Sequence, residues 1–146
     1  MKTVLVVYHT QSGNTEALAK AVGEGASSVQ GVSANVKPAA KANADDLLSC
    51  DAVAFGTPDF FSYMAGMLKD FFDRVYYEAL HKVDNKPYAA FVSHGGGGKA
   101  IESVDRICGS LQLRKAVEPI IAKGKPDDDA LAKARELGKE LAESIG

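Results

Sequence analysis

The sequence predicts a doubly wound α/β fold: a five-stranded parallel sheet, order 2-1-3-4-5, with helices on both faces. Three observations carry this expectation. Apolar runs of strand length alternate with helix-period segments five times, with no repeat, linker or low-complexity tract between them. The first, third and fourth strands are nearly continuous apolar runs, as strands covered on both faces are. The second alternates Val32, Ala34 and Val36 with polar residues, and the fifth contains Glu118 and Pro119, so these two belong at the edges.

Each element follows from its residues. Thr3 to Tyr8 is the first strand, and a helix from about Thr15 to Val29 follows it. Ser33 to Lys37 is the second strand, leading to a short helical turn at Ala44-Asp45-Asp46-Leu47-Leu48. Ala52 to Gly56 is the third. The next helix spans about Met64 to Leu80, where Met64, Met67, Leu68, Phe71, Phe72 and Val75 recur at spacings of three and four. Tyr88 to Ser93 is the fourth strand, before a glycine run and a helix presenting Ile101, Val104, Ile107, Cys108 and Leu111. The fifth strand lies around Ala116 to Ala122. The last helix, capped by Asp127 or Asp128, buries Leu131, Ala134, Leu137, Leu141 and Ile145.

Composition narrows the function classes. The 146 residues, 46% hydrophobic and 25% charged, fit one domain spanning 1–146. A net charge of -2 offers no basic field for nucleic acid or an acidic membrane surface. No apolar run approaches the roughly 20 residues that cross a bilayer. Met1-Lys2-Thr3 leads straight into the first strand, leaving no room for a signal peptide. Cys50 and Cys108 lack metal-ligand or CxxC spacing and read as reduced core residues, so the expected location is cytoplasmic.

The order 2-1-3-4-5 puts a crevice outside the carboxyl ends of strands one and three. Three unusual loops meet there. The first is Thr10-Gln11-Ser12-Gly13-Asn14-Thr15. Unpaired first-turn N–H groups and the helix dipole attract an anion there, hydroxyl and amide donors surround it, and Gly13 lets the backbone close. Without a Lys or Arg, the loop suits a phosphate monoester rather than a nucleoside triphosphate. Taken alone, it also fits a plain helix cap from Ser12 or Asn14.

The second loop is Thr57-Pro58-Asp59-Phe60-Phe61-Ser62-Tyr63, in which three aromatics call for something flat to cover. The third is Ser93-His94-Gly95-Gly96-Gly97-Gly98-Lys99, whose glycines let a backbone approach a ligand closely. A phosphate at one end, a planar ring at the other and amides along the ring's polar edge describe flavin mononucleotide, FMN. A phosphoacceptor receiver domain has the same strand order but needs an acidic pair after strand one and an Asp ending strand three. His9-Thr10 and Gly56-Thr57 stand there instead.

These residues resemble the flavodoxin superfamily. The resemblance rests on Val7 to Thr15, on Phe55-Gly56-Thr57-Pro58, and on Lys69, Phe72 and Asp73, and it covers nearly the whole chain. The Gly-Thr-Pro loop with Phe61 and Met64, and the run Ser93 to Gly98, are most similar to its quinone-reductase branch. The length resembles short-chain flavodoxins. The resemblance implies that Thr10 to Thr15 bind the FMN phosphate. It also implies that Pro58 to Ser62 wrap the isoalloxazine, with Phe60 or Phe61 on a ring face, and that Ser93 to Gly97 meet the pyrimidine edge and ribityl chain.

Two functions follow from it. One is an electron carrier between a reductase or ferredoxin-like donor and an unidentified acceptor. The other is an NAD(P)H-dependent reductase of quinones or similar acceptors, passing hydride through flavin N5. Neither demands an acid–base residue, although His94 can donate a proton in the second. The segment Asp59 to Met64 has no glycine, and near the ring only Asp59 stands against Lys99 and His94. The missing glycine predicts weak stabilisation of the half-reduced flavin and favours two-electron chemistry, and the less negative site predicts a hydroquinone that forms more easily. The chain is nevertheless too compact for the extra loops of the reductase branch, which favours the carrier.

Overall fold

The computed structural model describes residues 1–145. Strand β1 (Lys2–Tyr8) runs up the centre of the sheet, with Val4, Leu5, Val6 and Val7 wholly buried. Helix α1 (Asn14–Ser27) returns the chain to edge strand β2 (Val32–Pro38). Helix α2 (Ala44–Ser49) is started by a reciprocal pair of bonds, in which Asp46 N–H donates to the Asn43 side chain and Asn43 N–H to the Asp46 carboxylate. Strand β3 (Ala52–Phe60) then enters the sheet, followed by β4 (Tyr63–Met64) and α3 (Gly66–Ala79). The remaining elements are β5 (Pro87–His94), α4 (Ala100–Ser110), β6 (Arg114–Lys115), β7 (Ile120–Lys123) and α5 (Asp128–Glu143).

The sheet order is β2-β1-β3-β5, with β6 and β7 sharing the outer edge of β5, and every pair on this path is parallel. The predicted order therefore holds, with two corrections. The fifth strand is not continuous from Ala116 to Ala122: it breaks into β6 and β7 around Pro119, which has no N–H for the ladder. The third strand does not stop at Gly56. It continues to Phe60 and turns back antiparallel into β4, pairing Phe60 with Tyr63. The expected helical start at Met64 is consequently wrong, because Met64 lies in β4 and α3 begins at Gly66. Met67 lies off the buried stripe and is exposed. Asp127 is the cap of α5, accepting from Ala130 N–H at 2.8 Å, while Leu131 and Ile145 are only half-buried.

Two apolar clusters lie on opposite faces of the sheet. One joins Leu5, Val53 and Phe55 to Leu47 of α2, Phe71 and Phe72 of α3, and Val104 of α4. The other joins Val4, Val6 and Phe91 to Leu18 and Val22 of α1 and Leu137 and Leu141 of α5. Helices α1 and α5 touch backbone to backbone. A Cβ on Gly25 would fall onto the Arg135 carbonyl, and one on Gly138 onto the Val22 carbonyl. Both cysteines are free and buried, as expected of core thiols. Burial pushes the Cys50 thiol up to about 11, against the pull of the Lys86 ammonium. Among the described residues no helix is long and apolar enough to cross a membrane.

Candidate functional site

The carboxyl ends of β1, β3 and β5 bring the three loops to one open cavity of about 260 Å³. Its wall includes Ser12 and Asn14 from the first loop, Pro58, Asp59 and Phe60 from the second, and Ser93, His94 and Gly95 from the third. Segments far apart in sequence thus converge because parallel strands all end on the same side.

The first loop is not a plain helix cap. Gly13 is the N-cap of α1, in the left-handed region at φ 97°, and no side chain caps the helix. Neither Ser12 nor Asn14 plays the capping part. Thr10 braces the loop from inside, its Oγ1 accepting from Gly13 N–H at 2.9 Å. The first acceptor of the helix is the Gly13 carbonyl, reached by Ala17 N–H at 3.1 Å. Among the described residues, the N–H groups of Asn14, Thr15 and Glu16 meet no acceptor. These are donors for an anion. Gln11 stands outside the cavity wall, its Oε1 2.9 Å from His9 Nε2. Thr15 is buried, and its Oγ1 lies 2.7 Å from Ser93 Oγ. Two hydroxyls sharing one bond keep one proton to spare, beside a cavity that Ser93 lines.

The second loop is a hairpin tip. Phe61 and Ser62 are its two central residues, at φ 60° and 63°, a geometry that Asn-Gly adopts without strain and that costs a phenylalanine and a serine about 1 kcal/mol or more each. Phe60 faces the cavity, whereas Phe61 is 101% exposed and outside its wall. Thr57 is fully buried and serves the hairpin's base: its hydroxyl donates to the Pro58 carbonyl at 2.7 Å and accepts from Ala65 N–H at 2.8 Å. Ser62 is exposed and donates its N–H to Asp59 Oδ1 at 2.9 Å.

Asp59 also holds the third loop. Its Oδ2 accepts from Gly98 N–H at 3.0 Å and Ala100 N–H at 2.8 Å. Burial alone would raise this carboxyl. The N–H groups of Ala100, Ser62 and Gly98, with the nearby His94, outweigh burial and hold it below the ordinary carboxylate value. His94 Nδ1 accepts from Gly97 N–H at 3.0 Å. The amides of Gly97 and Gly98 are therefore engaged within the protein, while those of Gly95 and Gly96 meet no acceptor among the described residues.

Two contributors escape a sequence reading. Gly124 lines the cavity after β7 and donates its N–H to the His94 carbonyl at 2.8 Å. Ser103 of α4 is buried, donating to the Ala100 carbonyl at 2.6 Å and accepting from Met64 N–H at 3.0 Å, which ties the hairpin to α4. The Lys123-Gly124-Lys125-Pro126 turn signal was available for the first, while nothing local marks the second.

The residues present fit FMN. An uncapped helix start suits its phosphate, Phe60 in the wall suits its ring, and the two free glycine amides suit the ring's polar edge. No group of three His, Cys, Asp or Glu side chains that could hold a metal occurs among the described residues.

Comparison with known proteins agrees with this geometry. The family model described as Flavodoxin matches residues 6–138. A flavodoxin of Aquifex aeolicus is 38% identical over 98 residues, covering 67% of this chain and 53% of that protein. An NAD(P)H dehydrogenase (quinone) of Acidithiobacillus ferrooxidans is 34% identical over 94 residues, covering 51% of this chain and 47% of its own. The matches thus span about half the length of these curated relatives. A solved archaeal flavodoxin superposes with a TM-score of 0.85 at 29% identity, covering 98% of both chains.

Proposed function

The chain belongs to the flavodoxin family, its cofactor is FMN, and from that premise we propose that it is an electron carrier built as one FMN-binding domain over residues 1–146. The observation that carries the proposal is the joining of an uncapped α1 start, a cavity-facing Phe60 and free Gly95 and Gly96 amides around one cavity. FMN, when bound, supplies one- and two-electron transfer.

The chain's own part is binding and orientation. The Asn14, Thr15 and Glu16 amides, with Ser12 and Asn14 in the wall and with Thr10 and Gly13 shaping the loop behind them, hold the phosphate, while Gln11 stays turned to His9. The hydroxyl pair of Thr15 and Ser93 offers its spare proton at the wall where phosphate and sugar chain meet. Phe60 lies against the ring, braced by Pro58 and by the hairpin that Thr57, Asp59 and Ser62 hold together. Gly95 and Gly96 offer their N–H groups to the ring's polar edge. Phe61, pointing away from the cavity, is left for a partner.

In this reading the donor is a reductase or ferredoxin-like protein, the acceptor is a second redox protein, and the setting is the cytoplasm, consistent with free buried thiols. One observation favours the alternative of a reductase using NAD(P)H and a quinone: the tip Phe61-Ser62 offers no glycine where carriers of this family commonly use one. Stopped-flow mixing of the FMN-loaded chain with NADH and NADPH separates the two. The carrier gives no direct bleaching of the flavin over seconds, and rapid bleaching establishes the reductase. A chain that fails to bind added FMN defeats both.

A further inference from the structure

We infer that His94 and Asp59 are a pair of positioning residues that shape the glycine run for the flavin's polar edge, and that His94 performs this part only as the neutral imidazole. The inference rests on FMN occupying the cavity.

Four consecutive glycines bring no side chain of their own to fix their shape. Their conformation is set by whatever their N–H groups bond to. Gly97 N–H goes to His94 Nδ1 and Gly98 N–H to Asp59 Oδ2, while the Ala100 N–H that opens α4 goes to the same Asp59 oxygen. Behind them, Gly124 N–H fixes the His94 carbonyl. Two acceptors, one from β3 and one from β5, thereby pin the far end of the run. The near end, Gly95 and Gly96, is left with its N–H groups unmet.

A backbone N–H only donates, so the Nδ1 that receives it carries no proton, and the ring proton is on Nε2. Protonating the ring puts a second N–H at Nδ1, donor against donor, and the Gly97 contact is lost. Asp59, at the end of β3, is the carboxylate close to the ring, and Lys123 stands in register with His94 on β7. Asp59 accepts its own three N–H groups as a carboxylate.

The test is the FMN dissociation constant, read from quenching of flavin fluorescence between pH 8 and pH 5. The chains compared are wild type, His94→Asn, His94→Ala and Asp59→Asn. The FMN phosphate also titrates there, so the difference between chains is the informative quantity. An asparagine side chain accepts a backbone N–H three residues on without titrating. Wild type is expected to lose about fivefold more affinity than His94→Asn on acidification, the worth of one hydrogen bond. His94→Ala binds weakly throughout without this extra slope, and Asp59→Asn binds more weakly throughout but keeps it.

A second readout uses NMR of the full chain with and without FMN. The Gly97 amide shift is expected to follow the His94 ring protons through their titration. Equal pH slopes in wild type and His94→Asn, or a Gly97 amide indifferent to the ring, overturn the inference while leaving the FMN site intact. Absence of any FMN binding by the wild type overturns both.

Discussion

At the scale of single residues, the wall of the cavity depends on a contact between Thr15 and Ser93, whose hydroxyl oxygens lie 2.7 Å apart across 78 positions of sequence. Replacing Thr15 by valine keeps the shape and removes one partner, leaving the Ser93 hydroxyl buried without its bond. The expected cost is about 1–3 kcal/mol, read by urea denaturation, together with weaker FMN binding. Thr15 was legible in the sequence because a short polar loop between an apolar strand and a helix has a local signature. Ser93 was legible only as the start of a glycine run; its bond to Thr15 was not, since pairing of β5 with α1 is a product of the whole sheet. The same holds for the aromatic trio. Three rings in one loop were visible, yet which of Phe60 and Phe61 faces the cavity follows from a hairpin tip that aims successive side chains apart.

At the scale of elements, that tip holds two residues in a left-handed conformation where glycine is unstrained. Ser62→Gly should therefore stabilise the chain by about 1 kcal/mol at most, read as a raised Tm of the FMN-free protein, since the exposed serine side chain has no packing to lose. The contact between α1 and α5 has the opposite sensitivity. Gly138→Ala sets a methyl group against the Val22 carbonyl, and about 3 kcal/mol of stability should be lost in urea denaturation as the helices part. Gly25→Ala acts on the same seam, so the double variant should cost less than the sum of the singles. Helices and central strands were readable because apolar periodicity persists over a dozen residues. A two-residue strand such as β4 has no period to read, and the gap between β6 and β7 was marked only by Pro119.

At the scale of the molecule, both thiols lie in the same cluster, on the sheet face covered by α2, α3 and α4. Burial raises both, and for Cys108 the charge of Asp105 adds to it. A raised folded value means that stability from the protonated Cys50 thiol is complete below its unfolded value near 9. It is lost as pH rises through about 11. Neither cysteine should react with a thiol reagent at pH 8 at a measurable rate, and both should react at the rate of global unfolding in urea.

The glycine seam between α1 and α5 also fixes an order of events during synthesis. The apolar face of α1, with Leu18 and Val22, emerges early, yet the helix that shares its layer, α5, follows every strand of the sheet in the chain. Until Leu137 and Leu141 leave the ribosome, one side of the sheet stays partly uncovered in a nascent chain whose other face is already assembling. The chain is thus most exposed to chaperones and to aggregation just before α5 is complete, and a stalled ribosome short of residue 128 should release a product that is sticky on the α1 side alone.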